Sequence, residues 1–207
     1  MVKFSFLRIF RKILRKKNPR IGIYGPPNAG KTTLANRILR DFTGDVMGPA
    51  SEVPHETRRV RRKENVTIGA NGSRITLDIV DTPGLATKID FEEFVKVFKM
   101  KEEEARKRAK EATEGVVEAI KWIDECDGIL LVLDATEDPY TQVNIVTVGN
   151  MEARGKPMVV VANKIDRPNA SPARIKAAFP QHPIVPISAL EGQNIDKLYE
   201  ELAQRFG

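Results

Sequence analysis

The glycine-rich octapeptide GPPNAGKT, at residues 25–32, carries the clearest chemistry in this sequence. Its two glycines let backbone N–H groups turn towards an anion, and Lys31 and Thr32 add an ammonium and a hydroxyl group. Such a loop suits a nucleotide phosphate chain, with the hydroxyl oxygen on Mg²⁺. The residues expected to contact the phosphates are Gly25, Asn28, Ala29, Gly30, Lys31, Thr32 and Thr33.

A second motif, Asn163-Lys164-Ile165-Asp166, can select the base. It follows the apolar run 158–162, and so lies at the carboxyl edge of a sheet, where ligands bind in open α/β folds. The Asp166 carboxylate can accept hydrogen bonds from guanine N1–H and from the exocyclic amine. Adenine would leave that charge dehydrated and unpaired. The motif therefore predicts guanine, with Asn163, Lys164 and Asp166 as base-binding residues.

The tetrapeptide Asp81-Thr82-Pro83-Gly84 ends a predicted strand, which places it beside the phosphates. Asp81 is expected to hold Mg²⁺ through water, together with the Thr32 hydroxyl. The Gly84 N–H can donate to the terminal phosphate, so Gly84 and Lys31 are candidate catalytic residues.

Length and composition limit the class of protein that can hold these residues in place. The 207 residues suffice for one well-buried domain, and no apolar run approaches the roughly 20 residues that span a bilayer. A single cysteine, Cys126, excludes an internal disulfide, so a reducing cytoplasm is expected. The net charge of +6 is concentrated in residues 1–20, which hold eight basic and no acidic side chains.

Apolar runs alternate with helical patterns from Arg20 onward, which is typical of an α/β fold around a mostly parallel sheet. One strand is expected to be antiparallel, because the runs 65–70 and 73–80 are joined by Asn71-Gly72, a dipeptide that suits a tight hairpin. The other predicted strands are 20–24, 128–134, 157–162 and 183–187, and the predicted helices include 31–42, 141–154, 172–178 and 194–205.

Two longer segments complete the prediction of elements. Residues 43–64 are expected to form a long functional loop that includes a solvated basic run at 58–63. The pattern from Gly84 to about Asp127 is helical, and its charged part, 99–112, predicts a solvated helix.

The boxes GPPNAGKT, DTPG, NKID and SAL, in this order, resemble the G1, G3, G4 and G5 motifs of the Era, EngA and TrmE branch of translation-factor-class GTPases. The resemblance covers residues 20–206 and implies a P-loop NTPase fold: three α/β/α layers around a six-stranded, mostly parallel sheet with one antiparallel strand. It also implies GTP and GDP as ligands, Mg²⁺ as cofactor and slow hydrolysis in a molecular switch. Residues 188–190 would hold the guanine, through Ser188, Ala189 and Leu190.

The segment 54–58 is similar to the family's first switch loop, which makes Thr57 the expected metal ligand and catalytic threonine, with Thr43 as a competitor. Era itself carries a C-terminal KH domain, and only the GTPase domain, residues 19–207, is expected here. Leu85 stands where Ras-type enzymes carry a glutamine that orients water. Catalysis then needs an element from elsewhere or K⁺, for which Asn28 would be a ligand.

Residues 1–18 predict a basic amphipathic helix, with Phe6, Ile9, Phe10 and Ile13 among the residues of its apolar half. An anionic membrane surface is one partner for residues 1–17, at the inner face of the membrane. The alternatives are packing on the GTPase domain, a nucleic-acid-binding arm and a transit peptide.

Three functions stay open: a GTPase switch with an effector protein at its switch regions, a ribosome-assembly or RNA-associated GTPase, and a GTP-binding module that does not hydrolyse. A nucleotide-dependent homodimer is a further interpretation, and nucleic acid is the less favoured partner because the sequence shows no aromatic platform for bases.

Overall fold

The computed structural model describes residues 18–49, 59–70, 72–86 and 89–207. The strands within them are β1 (Arg20–Tyr24), β2 (Arg61–Ala70), β3 (Ser73–Asp81), β4 (Gly128–Asp134), β5 (Met158–Asn163) and β6 (Ile184–Pro186). The helices within them are α1 (Lys31–Thr43), α2 (Phe91–Lys96), α3 (Glu102–Glu125), α4 (Gln142–Ala153), α5 (Pro172–Ala178) and α6 (Ile195–Phe206). The strands form one sheet in the order β2-β3-β1-β4-β5-β6.

The middle of the sheet is parallel and buried on both faces. Strands β4 and β5 read GILLVLD and MVVVAN, and every residue of both is buried except the half-buried Asp134. Such continuous apolar runs are typical of parallel strands covered by helices. Among the described strands, only β2 pairs antiparallel, with β3, and the Ala70↔Ser73 pair closes this hairpin beside Gly72, whose φ is 78°. The expected six-stranded sheet with one antiparallel strand is confirmed.

Helices cover both faces of the sheet and make three layers. On one face α1 and α6 bury Leu34, Ile38, Leu198 and Leu202 in one hydrophobic cluster. On the other face α3 and α4 contribute Ala119, Ile123, Val148 and Met151 to a second cluster. Helix α1 is capped by Gly44, whose φ of 74° lets its N–H bond to the Leu39 carbonyl.

The prediction of a loop over 43–64 is wrong in its last part, because β2 begins at Arg61. Arg61 pairs with Asp81 across the ladder, and the register is irregular between Lys63 and Val66. Buried Asp78 fixes this irregularity: its carboxylate accepts from Arg62 Nη2 at 2.5 Å and from the Asn65 N–H at 3.0 Å. An edge strand tolerates charged residues, so a basic run does not exclude a strand.

The helical pattern after Gly84 is two helices. The helix predicted over the charged run 99–112 is present from Glu102 onward, but it is solvated on one side only. Helix α2 begins after Asp90, whose side chain accepts the Glu92 N–H, and the chain turns at Lys99, whose φ is 56°. Helix α3 buries Ala105, Arg108 and Ala112. The Arg108 guanidinium lies 5.6 Å from the Phe94 ring of α2, so packing between α2 and α3 buries part of this charged run.

The remaining predicted elements agree with the structure to within two residues at each end. The predicted helix at residues 1–18 lies outside the described residues except for Asn18. Among the helices that the structure describes, none has the length and hydropathy needed to cross a membrane.

Candidate guanine-nucleotide site

The loop between β1 and α1 has a backbone that only small or turn-forming residues adopt. Gly25 has a φ of 146°, and a Cβ there would lie 2.1 Å from the Val132 carbonyl oxygen. Asn28 and Gly30 have φ values of 59° and 94°, and α1 starts directly afterwards. The sequence therefore folds into a tight loop at a helix N-terminus, a geometry that suits phosphate.

Lys31 lies in this loop with only 6% of its surface exposed. Its Nζ donates to the Pro26 carbonyl oxygen at 2.7 Å, so the ammonium is curled back over the loop. Burial lowers the pKa of Lys31 to about 8, against the opposing effect of the Asp81 carboxylate. An anion at the loop would hold the charged form.

The donor set beside Lys31 fits Mg²⁺. Thr32 Oγ1 donates to Asp81 Oδ2 at 2.8 Å, and Asp81 is fully buried. Burial raises the pKa of Asp81, and hydrogen bonding from Thr32 and the Lys31 charge oppose it. Asp81 Oδ1 is buried with no hydrogen-bond partner, which is a cost that a hard cation would remove. Among the described residues, no three Asp, Glu, His or Cys side chains form a metal cluster.

The DTPG segment lies directly against the phosphate loop. The Leu85 N–H donates to the Gly25 carbonyl at 3.0 Å, and a Cβ on Gly84 would lie 2.8 Å from the Pro27 Cα. The Thr82 hydroxyl donates to the Ile23 carbonyl at 2.8 Å. These contacts place the Gly84 backbone beside the loop, as the sequence predicts.

Asn163 joins three separate motifs with one side chain. Its Nδ2 donates to the Ala29 carbonyl at 2.8 Å, and its Oδ1 accepts the Ala189 N–H at 2.9 Å. The residue is 2% exposed. The sequence assigned Asn163 to the base, whereas here both ends of its amide brace the site. A bracing role has no signal in the motif itself.

The remaining base-side residues surround the end of β5. Lys164 has a φ of 66°, Asp166 is exposed, and Leu190 is 67% exposed. Ser188 is buried: its N–H donates to the Gln193 carbonyl and its Oγ accepts the Glu191 N–H. The resemblance assigns Ser188 and Ala189 to the guanine, and the backbone N–H groups of both are bonded within the protein here.

Arg37 is a supporting residue that sequence reasoning missed. It reaches from α1 to the 188–190 loop, where Nε donates to the Ala189 carbonyl at 3.2 Å and Nη2 to the Leu190 carbonyl at 2.5 Å. Nothing in the spacing of α1 distinguishes Arg37 from a solvated arginine, so only the fold reveals it.

Of the two candidate switch threonines, Thr57 lies outside the described residues. The competitor, Thr43, is the last residue of α1, and its hydroxyl donates to the Leu39 carbonyl at 2.8 Å. Thr43 therefore satisfies the end of its own helix.

Thr33 is the last of the residues expected to contact the phosphates. It is half-buried in the first turn of α1.

Comparison with known proteins agrees with this geometry. The family model described as 50S ribosome-binding GTPase matches residues 20–164, which include the phosphate loop, DTPG and the first two residues of NKID. The chain belongs to this GTPase family. It is a GTPase of the Era, Der and MnmE type, because proteins with these three names are its relatives.

Three relatives illustrate the similarity. GTPase Era of Geotalea uraniireducens is 31% identical over 188 residues, which cover 87% of this chain and 52% of the relative. GTPase Der of Chloroflexus aurantiacus is 29% identical and covers 89% of this chain and 38% of the relative. The tRNA modification GTPase MnmE of Streptococcus suis is 29% identical, and the match covers 94% of this chain and 35% of the relative. The chain therefore spans about a third to a half of these relatives.

Two crystal structures are similar to this GTPase. An Era variant of Aquifex aeolicus bound to GDP and AlF4⁻ superposes with a TM-score of 0.69 at 26% identity, covering 93% of this chain and 58% of that one. Era in complex with MgGDPNP and a segment of 16S ribosomal RNA also superposes with a TM-score of 0.69, at 25% identity, covering 92% of this chain and 57% of that one.

The contact between Gly30 and Asn163 yields a test with a matched control. A Cβ on Gly30 would lie 2.2 Å from Asn163 Nδ2, whereas a Cβ on Gly44 would meet nothing within 4 Å, and both residues have positive φ. Gly44→Ala should cost about 1 kcal/mol of unfolding free energy from backbone strain, and Gly30→Ala about 3 kcal/mol because the Asn163 bonds are also lost. Urea denaturation measures both, and equal losses would contradict the bracing role of Asn163.

Proposed function

We propose that this chain binds GTP and GDP with Mg²⁺, hydrolyses GTP slowly and acts as a molecular switch. The observation that supports this most directly is the Asn163 amide, which ties the phosphate loop to the base side of the site. One pocket then brings Lys31 to the phosphates and Asp166 to the base. The domain responsible is residues 19–207.

Each residue has a task in this proposal. The Lys31 ammonium leaves the Pro26 carbonyl for the β- and γ-phosphates, and the loop N–H groups surround them. Bound Mg²⁺ would supply charge neutralisation on the phosphates. Thr32 and Asp81 would hold that ion, with Thr57 as a further ligand in the GTP state, and the Gly84 N–H would bond the γ-phosphate. Asp166, with Lys164 and residues 188–190, would hold the guanine.

Hydrolysis needs a group that Leu85 cannot supply. Its side chain is apolar and 7% exposed, so it neither orients a water nor stabilises charge. Asn28 is exposed on the phosphate loop, and its side-chain oxygen is a suitable ligand for K⁺. We propose K⁺ as an additional cofactor that neutralises charge between the phosphates.

An effector protein would recognise the switch regions. Arg59, which directly follows the segment similar to the first switch loop, forms ion pairs with Glu114 and Glu118 of α3, at 3.4 and 3.7 Å. Val117 of α3 is 48% exposed between these glutamates. A rearrangement of the switch around γ-phosphate would therefore change the surface of α3. This surface is our candidate for the effector or for a nucleotide-dependent second copy of the chain.

An RNA-associated function in ribosome assembly is the second candidate. The family description and the Era structure with 16S ribosomal RNA favour it. Against it, three of the four described basic residues of this run pair with acids of the same chain: Arg59 with Glu114, Arg62 with Asp78 and Lys63 with Asp45. Phosphate contacts by these residues would require those pairs to break.

The proposal also gives residues 1–17 a role in binding a membrane surface. Their basic and apolar residues would segregate on a helix, which suits an anionic lipid surface with roughly 1 kcal/mol per basic residue. We propose a cytoplasmic protein that this segment recruits to the inner face of the membrane.

Calorimetry with Mg²⁺ tests guanine binding. GDP should bind and ADP should bind far more weakly, and Asp166→Ala should weaken GDP about hundredfold by removing two charge-assisted hydrogen bonds, while ADP is unaffected. Glu200→Ala removes an exposed carboxylate from α6 and serves as the control. ADP held as firmly as GDP would refute the proposal.

Single-turnover hydrolysis tests the K⁺ hypothesis. The rate should rise severalfold when Na⁺ is replaced by K⁺, because K⁺ bound by Asn28 would neutralise charge on the phosphates. Asn28→Ala should remove that difference while GDP binding persists. Identical rates in the two salts would reject the K⁺ role.

Sedimentation with vesicles tests the membrane segment. The full chain should pellet with vesicles rich in anionic lipid and not with neutral vesicles, and a chain that begins at Asn18 should stay in the supernatant. Equal pelleting of both chains would exclude this role for residues 1–17.

A further inference from the structure

Asp134 lies in the site although it belongs to none of the motifs. It is the last residue of β4 and pairs in register with Asn163, the last residue of β5. Its Oδ2 lies 2.5 Å from Lys164 Nζ, and the two side chains are only 11% and 18% exposed. Since both groups are largely shielded from water, this ion pair is screened less than a surface pair.

The second carboxylate oxygen of Asp134 is also used. Oδ1 accepts the Thr136 N–H at 2.9 Å and the Thr136 hydroxyl at 2.7 Å. Burial alone would raise the pKa of Asp134, but the hydrogen bonds from Lys164 and Thr136 outweigh it and hold the pKa below its usual value. The carboxylate is therefore charged at neutral pH and fixed in orientation.

The ion pair with Asp134 determines the path of the Lys164 side chain. Lys164 leaves β5 with a φ of 66°, and its ammonium is held at the end of β4. The four methylene groups are thus stretched across the gap between two strand ends, where ligands bind in open sheets. The turn that carries Asp166 also starts here, because the Lys164 carbonyl accepts the Arg167 N–H at 3.1 Å.

We propose that Asp134 is a positioning residue for guanine recognition. By holding the Lys164 ammonium, it lays the methylene chain as an apolar wall along one face of the base and steadies the turn that presents Asp166. Asp134 itself does not touch the nucleotide. This inference rests on the proposed function, since it specifies how the same site selects its base.

Asp134→Asn tests the proposal, because asparagine keeps the size of the side chain and loses the charge that attracts Lys164. GDP should bind about tenfold more weakly, mainly through faster dissociation. Inosine diphosphate lacks the exocyclic amine and makes one contact fewer with Asp166. Its affinity should therefore fall less than that of GDP, and the ratio of GDP to inosine diphosphate affinity should decrease. For GTP hydrolysis, KM should rise while kcat at saturation stays unchanged.

Three controls separate this role from a general structural one. Glu137→Gln neutralises an exposed carboxylate three residues away and should leave binding unchanged. Lys164→Met keeps an apolar stem without the charge, and the double variant with Asp134→Asn should bind GDP no more weakly than Lys164→Met alone. Thermal unfolding of each variant confirms that it folds.

Two outcomes would overturn the proposal: unchanged GDP binding in Asp134→Asn, or an undiminished effect of Asp134→Asn in the Lys164→Met background. Failure of the proposed function is distinguishable, since the unaltered chain would then not bind GDP.

Discussion

The buried amide of Asn163 is the interaction on which the site depends. A side-chain amide can donate and accept at once, and Asn163 uses both ends against backbone groups of different loops. Because Asn163 is almost fully buried, leaving its N–H or its oxygen unpaired would cost more free energy than the bond contributes. The phosphate loop and the 188–190 loop are therefore held at a fixed distance. A rigid spacing of this kind lets one pocket measure both the base and the phosphates of a nucleotide.

Much of the fold could be predicted because local signals and the sheet agree. The buried runs of β4 and β5, the glycine-rich loop and the Asn71-Gly72 hairpin each have a direct sequence signature. The same holds for the site residues of the three motifs, which the structure brings to one edge of the sheet. What the sequence could not show are contacts between distant residues. Arg37, Asp134 and the bracing role of Asn163 all depend on which loops become neighbours.

In two segments, a run of charged residues does not mean that every charged side chain is solvated. At Arg61–Lys63, charged side chains occupy an edge strand, and Arg62 has a buried partner in Asp78. In α3, Arg108 is 7% exposed against Phe94, because α2 folds back onto this helix. The helical pattern after Gly84 concealed this arrangement. The break at Lys99 depends on a left-handed residue that propensity does not indicate.

The Asp78 carboxylate on β3 fixes the register of the hairpin that β2 and β3 form. A slip of β2 by one residue would turn Val66 and Ile68 away from the core, because side chains alternate between the two faces of a strand. Asp78 binds Arg62 before the irregularity and the Asn65 N–H within it, so the pairing that follows is fixed. The register that points Val66 and Ile68 into the core is therefore set by one buried carboxylate, and not by the hairpin turn alone.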